Sequence, residues 1–233
     1  MIEFLDTGPF SLADAAAILL LLGLWLGIGF RVEHSPASKP SVSALMTNYR
    51  REWLRQFVTR QPRIFDAAII DNLRRGTSFF ASGTMIAIGG GAALIGNTER
   101  LLGLAADLTI QSAPVVVWET KILVVLLLLT NAFLKFVWAN RLFGYCAIVM
   151  GSVPNSIDDP LAYPRAAQAA ELNITAARSF NRGLRSLYFA LGALAWLLGP
   201  VALTVAALLT VTVLWRREFA SRSRQILLQS TPK

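Results

Sequence analysis

The stretch LLLLTNAFLKFVWANR, residues 126–141, follows a wall of leucines with Asn131, Lys135, Asn140 and Arg141 at near-helical spacing. Lys121, Leu128, Asn131 and Lys135 fall close to one line on a helix surface. In lipid such groups have two uses. As a continuous face, Lys121, Asn131, Lys135, Asn140 and Arg141 would form a polar path for an ion or small anion, because ionisable residues within a membrane turn toward a bundle interior or a watery cavity. As separate groups, Lys121 and Lys135 stand about 21 Å apart along a helix. Each would then snorkel to a headgroup layer. Asn131 would bond a neighbouring helix, with Ser82, Thr84 and Thr204 as candidates. Asp66 and Asp71 are candidate ion partners for Lys135 or Arg141, and Glu119 stands beside Lys121.

Catalytic chemistry finds little to work with. No nucleophile stands at usable spacing from a base, and no group of residues has metal-ligand spacing or a cofactor fingerprint. No cofactor, no metal and no enzymatic activity are expected. The single cysteine, Cys146, reads as a small buried hydrophobe, and the single histidine, His34, as a loop residue near Pro36. Gly89-Gly90-Gly91 lacks both the preceding strand and the following Gly-Lys-Ser/Thr of a phosphate-cradling loop. Asp158-Asp159-Pro160 is an acidic turn suited to capping the helix after it.

Two other sets of residues suit contact rather than reaction. Gly83, Ala87 and Gly91 lie four apart, as do Gly23 and Gly27, so another helix could approach these faces closely. In SVSALMTNYRREWLRQFVTR, Val42, Leu45, Met46, Tyr49, Trp53 and Phe57 follow a helical repeat. Arg50, Arg51, Arg55 and Arg60 cover the remaining surface. Such a helix, with Arg50, Arg51, Trp53, Arg55 and Phe57 as contacts, either lies on anionic lipid or packs on the cytoplasmic ends of the spans.

The elements that must hold these residues follow from composition. Of 233 residues, 55% are hydrophobic and 15% charged, which predicts an all-α, polytopic membrane bundle of four to five passes. The spans read as about 12–30, 76–95, 115–138 and 184–215, in one membrane domain. A basic connection covers 31–75, a second connection 139–183, and a basic tail 216–233. The first stretch carries Glu3, Asp6 and Asp14 where a secretory signal would be basic, and it reads as a retained span. The last apolar block is interrupted by Gly199-Pro200. It is either one kinked span or a hairpin in which Gly199 ends one helix and Pro200 opens the next.

Lysine and arginine number nine in 31–75, one in 96–114, five in 139–185 and five in 216–233. By the positive-inside rule the first connection is cytoplasmic and the N-terminus outside, and five passes bring the tail inside. The same rule accounts for the net charge of +8, so nucleic acid is not an expected partner.

The runs DNLRRGTSFFASGTMIAIG and FLKFVWANRLFGY, and the closing segment with Gly199-Pro200 and Arg216-Arg217-Glu218-Phe219, resemble the membrane-protein family called domain of unknown function five-nine-nine. Phe79-Phe80-Ala81-Ser82 carries the resemblance further. It implies a helical protein of bacterial and plant membranes, and no activity. The expected role is a structural, accessory or assembly subunit of the bacterial inner membrane, meeting the bilayer and other membrane subunits or further copies of itself. The alternative is a small oligomeric transporter or channel using the polar face of the third span.

Overall fold

The computed structural model describes residues 10–97, 103 and 114–229, and every regular element among them is helical. Glu3, Asp6, Glu99, Arg100, Asp107 and Lys233 lie outside the described residues. In chain order the helices are α1 (Leu12–Glu33), α2 (Val42–Phe57), α3 (Ile64–Ile95), α4 (Val115–Gly151), α5 (Ala162–Ala193), a 3-10 turn at Leu194–Leu198, α6 (Pro200–Phe219) and α7 (Arg222–Gln229). Four stretches are long and apolar enough to cross a membrane: Leu12–Glu33, Ile64–Ile95, Val115–Gly151 and the one opening at Pro200. Side chains such as Leu19, Phe30, Ile86 and Val201 are two-thirds or more exposed, an arrangement that suits hydrocarbon rather than water. The fold is an all-α, polytopic membrane bundle.

The helix ends have local causes. Ser11 and Asp14 cap α1 reciprocally: the Ser11 hydroxyl accepts from the Asp14 amide at 3.2 Å, and the Ser11 amide donates to Asp14 Oδ2 at 3.1 Å. Ser41 caps α2 by accepting from the Ala44 amide, and its own hydroxyl donates to the Val32 carbonyl at 2.9 Å. Pro114 stands before α4 and Pro200 opens α6, where a missing amide proton costs nothing. Asp159 Oδ1 accepts from the Leu161 amide at 2.8 Å, just ahead of α5.

Helix α4 has 37 residues, about 55 Å of rod, and so runs well past the apolar stretch that ends near Trp138. Beyond that point Leu142, Phe143, Cys146 and Met150 form a buried stripe, so the helix persists by packing one face after its other face turns polar. Between α5 and α6 the chain reverses. Gly199 sits at φ 113°, ψ 171°, a region open essentially to glycine alone. On either side of it, a Cβ built on Gly192 would lie 3.0 Å from Thr210 Oγ1 and 3.7 Å from the Ala206 carbonyl oxygen, so the two legs are in close contact.

The chain divides into two compact units. The first takes the described residues up to Arg31 together with Gly83–Ala132 and Leu184–Arg216. The second takes Val32–Ser82, Phe133–Gly183 and the described residues from Arg217. At the core of the second, Phe80, Phe136 and Phe180 meet in tilted and edge-on contacts with centroids 5.5–5.6 Å apart. Phe136 is fully buried there, and Gly183 leaves room for it: a Cβ on Gly183 would come within 2.6 Å of the ring.

Candidate functional site

In the first unit the polar groups of α4 are engaged one at a time. Lys121 does not reach into solvent as expected of a boundary lysine. It is 8% exposed, with Nζ 5.1 Å from the Trp118 ring centroid and 5.8 Å from that of Trp196. The negative faces of two indoles give the ammonium a setting that a bare hydrocarbon wall could not. Trp196 also donates from Nε1 to Asp14 Oδ1 at 2.6 Å, which ties the 3-10 turn to the start of α1. Asn131 Nδ2 donates to Ser186 Oγ at 2.7 Å. Its partner is therefore on α5, and not the Ser82, Thr84 or Thr204 that the sequence offered.

In the second unit Asn140 Nδ2 donates to Ser78 Oγ at 2.5 Å, and Arg141 Nε to the Tyr145 hydroxyl at 2.5 Å. The Lys135 carbonyl accepts from Ser179 Oγ at 3.0 Å, while its ammonium has no partner among the described residues. Asp66 and Asp71 do not pair with Lys135 or Arg141. Asp66, fully buried, accepts from Trp53 Nε1 at 2.7 Å and pairs with Arg60, while Asp71 pairs with Arg75 at 2.5 Å. The reason is proximity along the chain: α2 and its following turn deliver Trp53 and Arg60 to the foot of α3.

The residues expected at a lipid surface are divided between protein and solvent. Phe57 is 3% exposed, Trp53 is held by Asp66, and Arg50 donates to the fully buried Asn173. Burial also pulls the Arg50 guanidinium below its ordinary pKa. Arg51 and Arg55 lie on the outer surface, paired with Glu171 and Glu52, each at 2.7 Å. Glu218, at the end of α6, accepts from the Ser43 amide and hydroxyl, both at 3.0 Å.

The small-residue faces are open at Gly23, Gly27, Gly83 and Ala87, and covered at Gly91. A Cβ on Gly23, Gly27 or Gly83 would meet nothing within 4 Å, whereas one on Gly91 would lie 2.6 Å from Leu126 Cδ2. Ala87 is exposed and borders an apolar recess of about 310 Å³ that Trp118, Leu126 and Leu191 also line.

Sequence reasoning missed Arg63, on the residue after Pro62. Its Nη1 donates to the Val153 carbonyl at 2.8 Å, and Nη2 to Pro154 at 2.9 Å and Val58 at 3.2 Å. It thereby satisfies carbonyls beyond the end of α4. Arg165 does the same for Ser152, with Nη1 at 2.6 Å. Neither residue has a local signature, since the carbonyls it reaches beyond the end of α4 are distant in the chain. Among the described residues no three His, Cys, Asp or Glu side chains are placed to hold a metal.

The profile of the family described as "protein of unknown function, DUF599" matches residues 16–223. The chain belongs to this family. In DUF599 terms, the segments that carried the resemblance are structural joints: Phe80 sits in the aromatic trio, Gly199-Pro200 makes the reversal, and Glu218 holds the start of α2. No curated protein and no solved structure matches the chain.

Proposed function

We propose that this DUF599 protein is a structural, accessory or assembly subunit of the cell membrane, without a reaction of its own. Its place is beside another membrane protein or a further copy of itself. The observation that carries the reading is that most of the small-residue positions are uncovered. Only 6% of the most apolar window of α3 is buried, against 39% for α4, and the Gly23, Gly27 and Gly83 positions are open. Backbone can approach backbone at such positions and gain dispersion contacts that lipid tails give poorly. Native mass spectrometry in gentle detergent is the test. A foreign subunit or a second copy bound to the wild type and released by Gly83→Leu supports the role. A lone chain in the wild type removes it.

The topology we propose puts the N-terminus outside and the tail inside, through five passes. Helix α6 has 20 residues, about 30 Å, enough to cross alone. Trp196 beside Asp14 puts the α5–α6 reversal next to the start of α1. A single cysteine replacing Lys233 tests it, because Cys146 is buried and contributes little background. Labelling from outside intact cells would discard five passes.

A second reading has support in the Lys135 ammonium, which has no partner among the described residues. Here the polar face of α4 passes an ion or small anion in an oligomer. Flux into proteoliposomes that falls in Lys135→Ala favours it, and unchanged flux eliminates it.

A further inference from the structure

The second unit contains a cleft of about 640 Å³ beside the foot of α3 and the end of α4. Arg63, Arg74 and Arg165 line it, with Asp71 as the one carboxylate. The side chains of the cleft suit an anion. Arg63 Nε is buried and has no hydrogen-bond partner among the described residues. Nε is enclosed and is not reached from the cleft, so Arg63 contributes its charge there rather than a contact. The Arg74 guanidinium is exposed and makes no hydrogen bond or ion pair among the described residues. Asp71 does not supply the missing partner, since its carboxylate is taken by Arg75 at 2.5 Å. The cationic charge of the cleft is thus left largely uncompensated.

The walls restrict what kind of anion fits. Phe57, Ile70 and Met150 make much of the lining apolar, and Arg63 stacks over the Phe57 ring at 4.5 Å. A small hydrated ion would leave these walls wet. An amphiphile would use both surfaces. The cleft also has a fixed position along α3: Arg74 stands two residues before Gly76, where the apolar run begins, and Arg63 about 16 Å further from it. A guanidinium at such a boundary stands at headgroup depth, where basic pockets collect anionic lipid.

We infer that this cleft binds a phosphate ester, its oxygens on the Arg74 guanidinium in the field of Arg63 and Arg165, and its attached chain against Ile70 and Met150. Planar guanidiniums match phosphate oxygens in pairs, which favours phosphate over a spherical anion. The inference goes beyond the accessory role and stands or falls apart from it.

The test uses the whole protein in neutral detergent, titrated with four probes. These are dioctanoyl phosphatidylglycerol, dioctanoylglycerol, glycerol 3-phosphate and inorganic phosphate, read by native mass spectrometry and thermal shift. The phosphatidylglycerol binds and dioctanoylglycerol, which lacks the phosphate, does not. Glycerol 3-phosphate or inorganic phosphate binding as well as the lipid would make the source aqueous and would still support the anion site. Weaker binding of both would make the source the membrane. Arg74→Gln weakens binding roughly tenfold or more, the loss of one charge-assisted contact. Because its guanidinium has no partner among the described residues, this variant is expected to fold normally. Arg63→Gln removes charge but no contact and weakens binding less than Arg74→Gln, although it also uncaps the Val153–Pro154 turn. Absence of binding by every phosphate-bearing probe, or equal binding by wild type and Arg74→Gln, overturns the inference.

Discussion

In the first unit, Lys121 meets two indole faces and Asn131 a single hydroxyl. In the second, Asp66, Asn173 and the arginines 50, 60 and 63 are tied by several bonds apiece or by pairs to buried groups. The cavities differ in the same sense. The recess of the first unit is walled by leucine, alanine and tryptophan, and the cleft of the second carries three guanidiniums. A helix in hydrocarbon already satisfies its own backbone, so isolated polar side chains suffice to choose neighbours. Where the same helices leave the apolar run, water competes for every polar group, and a fixed arrangement needs networks that exclude it.

The largest expected effect tests whether those networks hold the second unit together. Asp66→Ala removes the acceptor for Trp53 and the partner of Arg60 from a site that is fully buried. Breaking a buried pair costs about 3 kcal/mol at the lower end, which applies here because the Arg60 side chain remains 34% exposed and can turn to water. Hydrogen exchange should show α2 and the foot of α3 losing protection while α6 keeps it. A loss below about 1 kcal/mol, the range of a surface pair, would erase the contrast between the units.

Next in size is Gly199→Ala, which probes the first unit where it relies on backbone rather than on polar contacts. At φ 113° and ψ 171° any side chain is strained, and a destabilisation of about 2 kcal/mol is expected in thermal unfolding. Asn at this position should not rescue it, because asparagine tolerates the left-handed helical region but not this one. Full stability of Gly199→Ala would mean that the reversal does not depend on that conformation.

The two units were also unequally legible. Hydropathy located the membrane helices, and the Gly-Pro pair marked an interruption that the sequence left as either a kink or a reversal, because both signals are local. Asp159 as a cap was local too. The ends of the long helices were not, since the continuation of α4 to Gly151 rests on an amphipathic stripe that a hydropathy window averages away. Partners were least readable of all. Ser186 for Asn131, Asn173 for Arg50 and the Val153 carbonyl for Arg63 are set by which helices meet, information spread over the whole chain. The family pattern supplied some of it indirectly, as Glu218 shows by holding the start of α2.

A smaller effect follows from the Asn131–Ser186 bond. Asn131→Leu replaces a polar contact with hydrocarbon in a segment where the unfolded helix also finds polar partners. The expected cost is about 0.6 kcal/mol. The matching change in the second unit, Asn173→Leu, strands the buried Arg50 guanidinium and should cost several times more, about 2 kcal/mol. Equal costs for the two substitutions would show that the units treat polar burial alike.

The smallest expected effect concerns a group whose titration is strongly shifted and whose contribution is nonetheless slight. The hydrogen bond from Arg55, then that from Gln56, holds the Glu52 carboxyl down to about 2. A carboxylate lowered in the folded state stabilises it at pH values above its unfolded pKa, near 4.5, and loses that contribution as pH falls toward 2. Both partners lie on the outer surface of α2, where water and salt screen them. Glu52→Gln should therefore melt only marginally below the wild type at pH 7. The gap should close on acidification through pH 4 to 2, and in about 1 M salt at any pH. A gap that persisted in high salt would mean that the outer face of α2 is covered in the membrane, extending the buried networks of the second unit to a surface that its own chain leaves open.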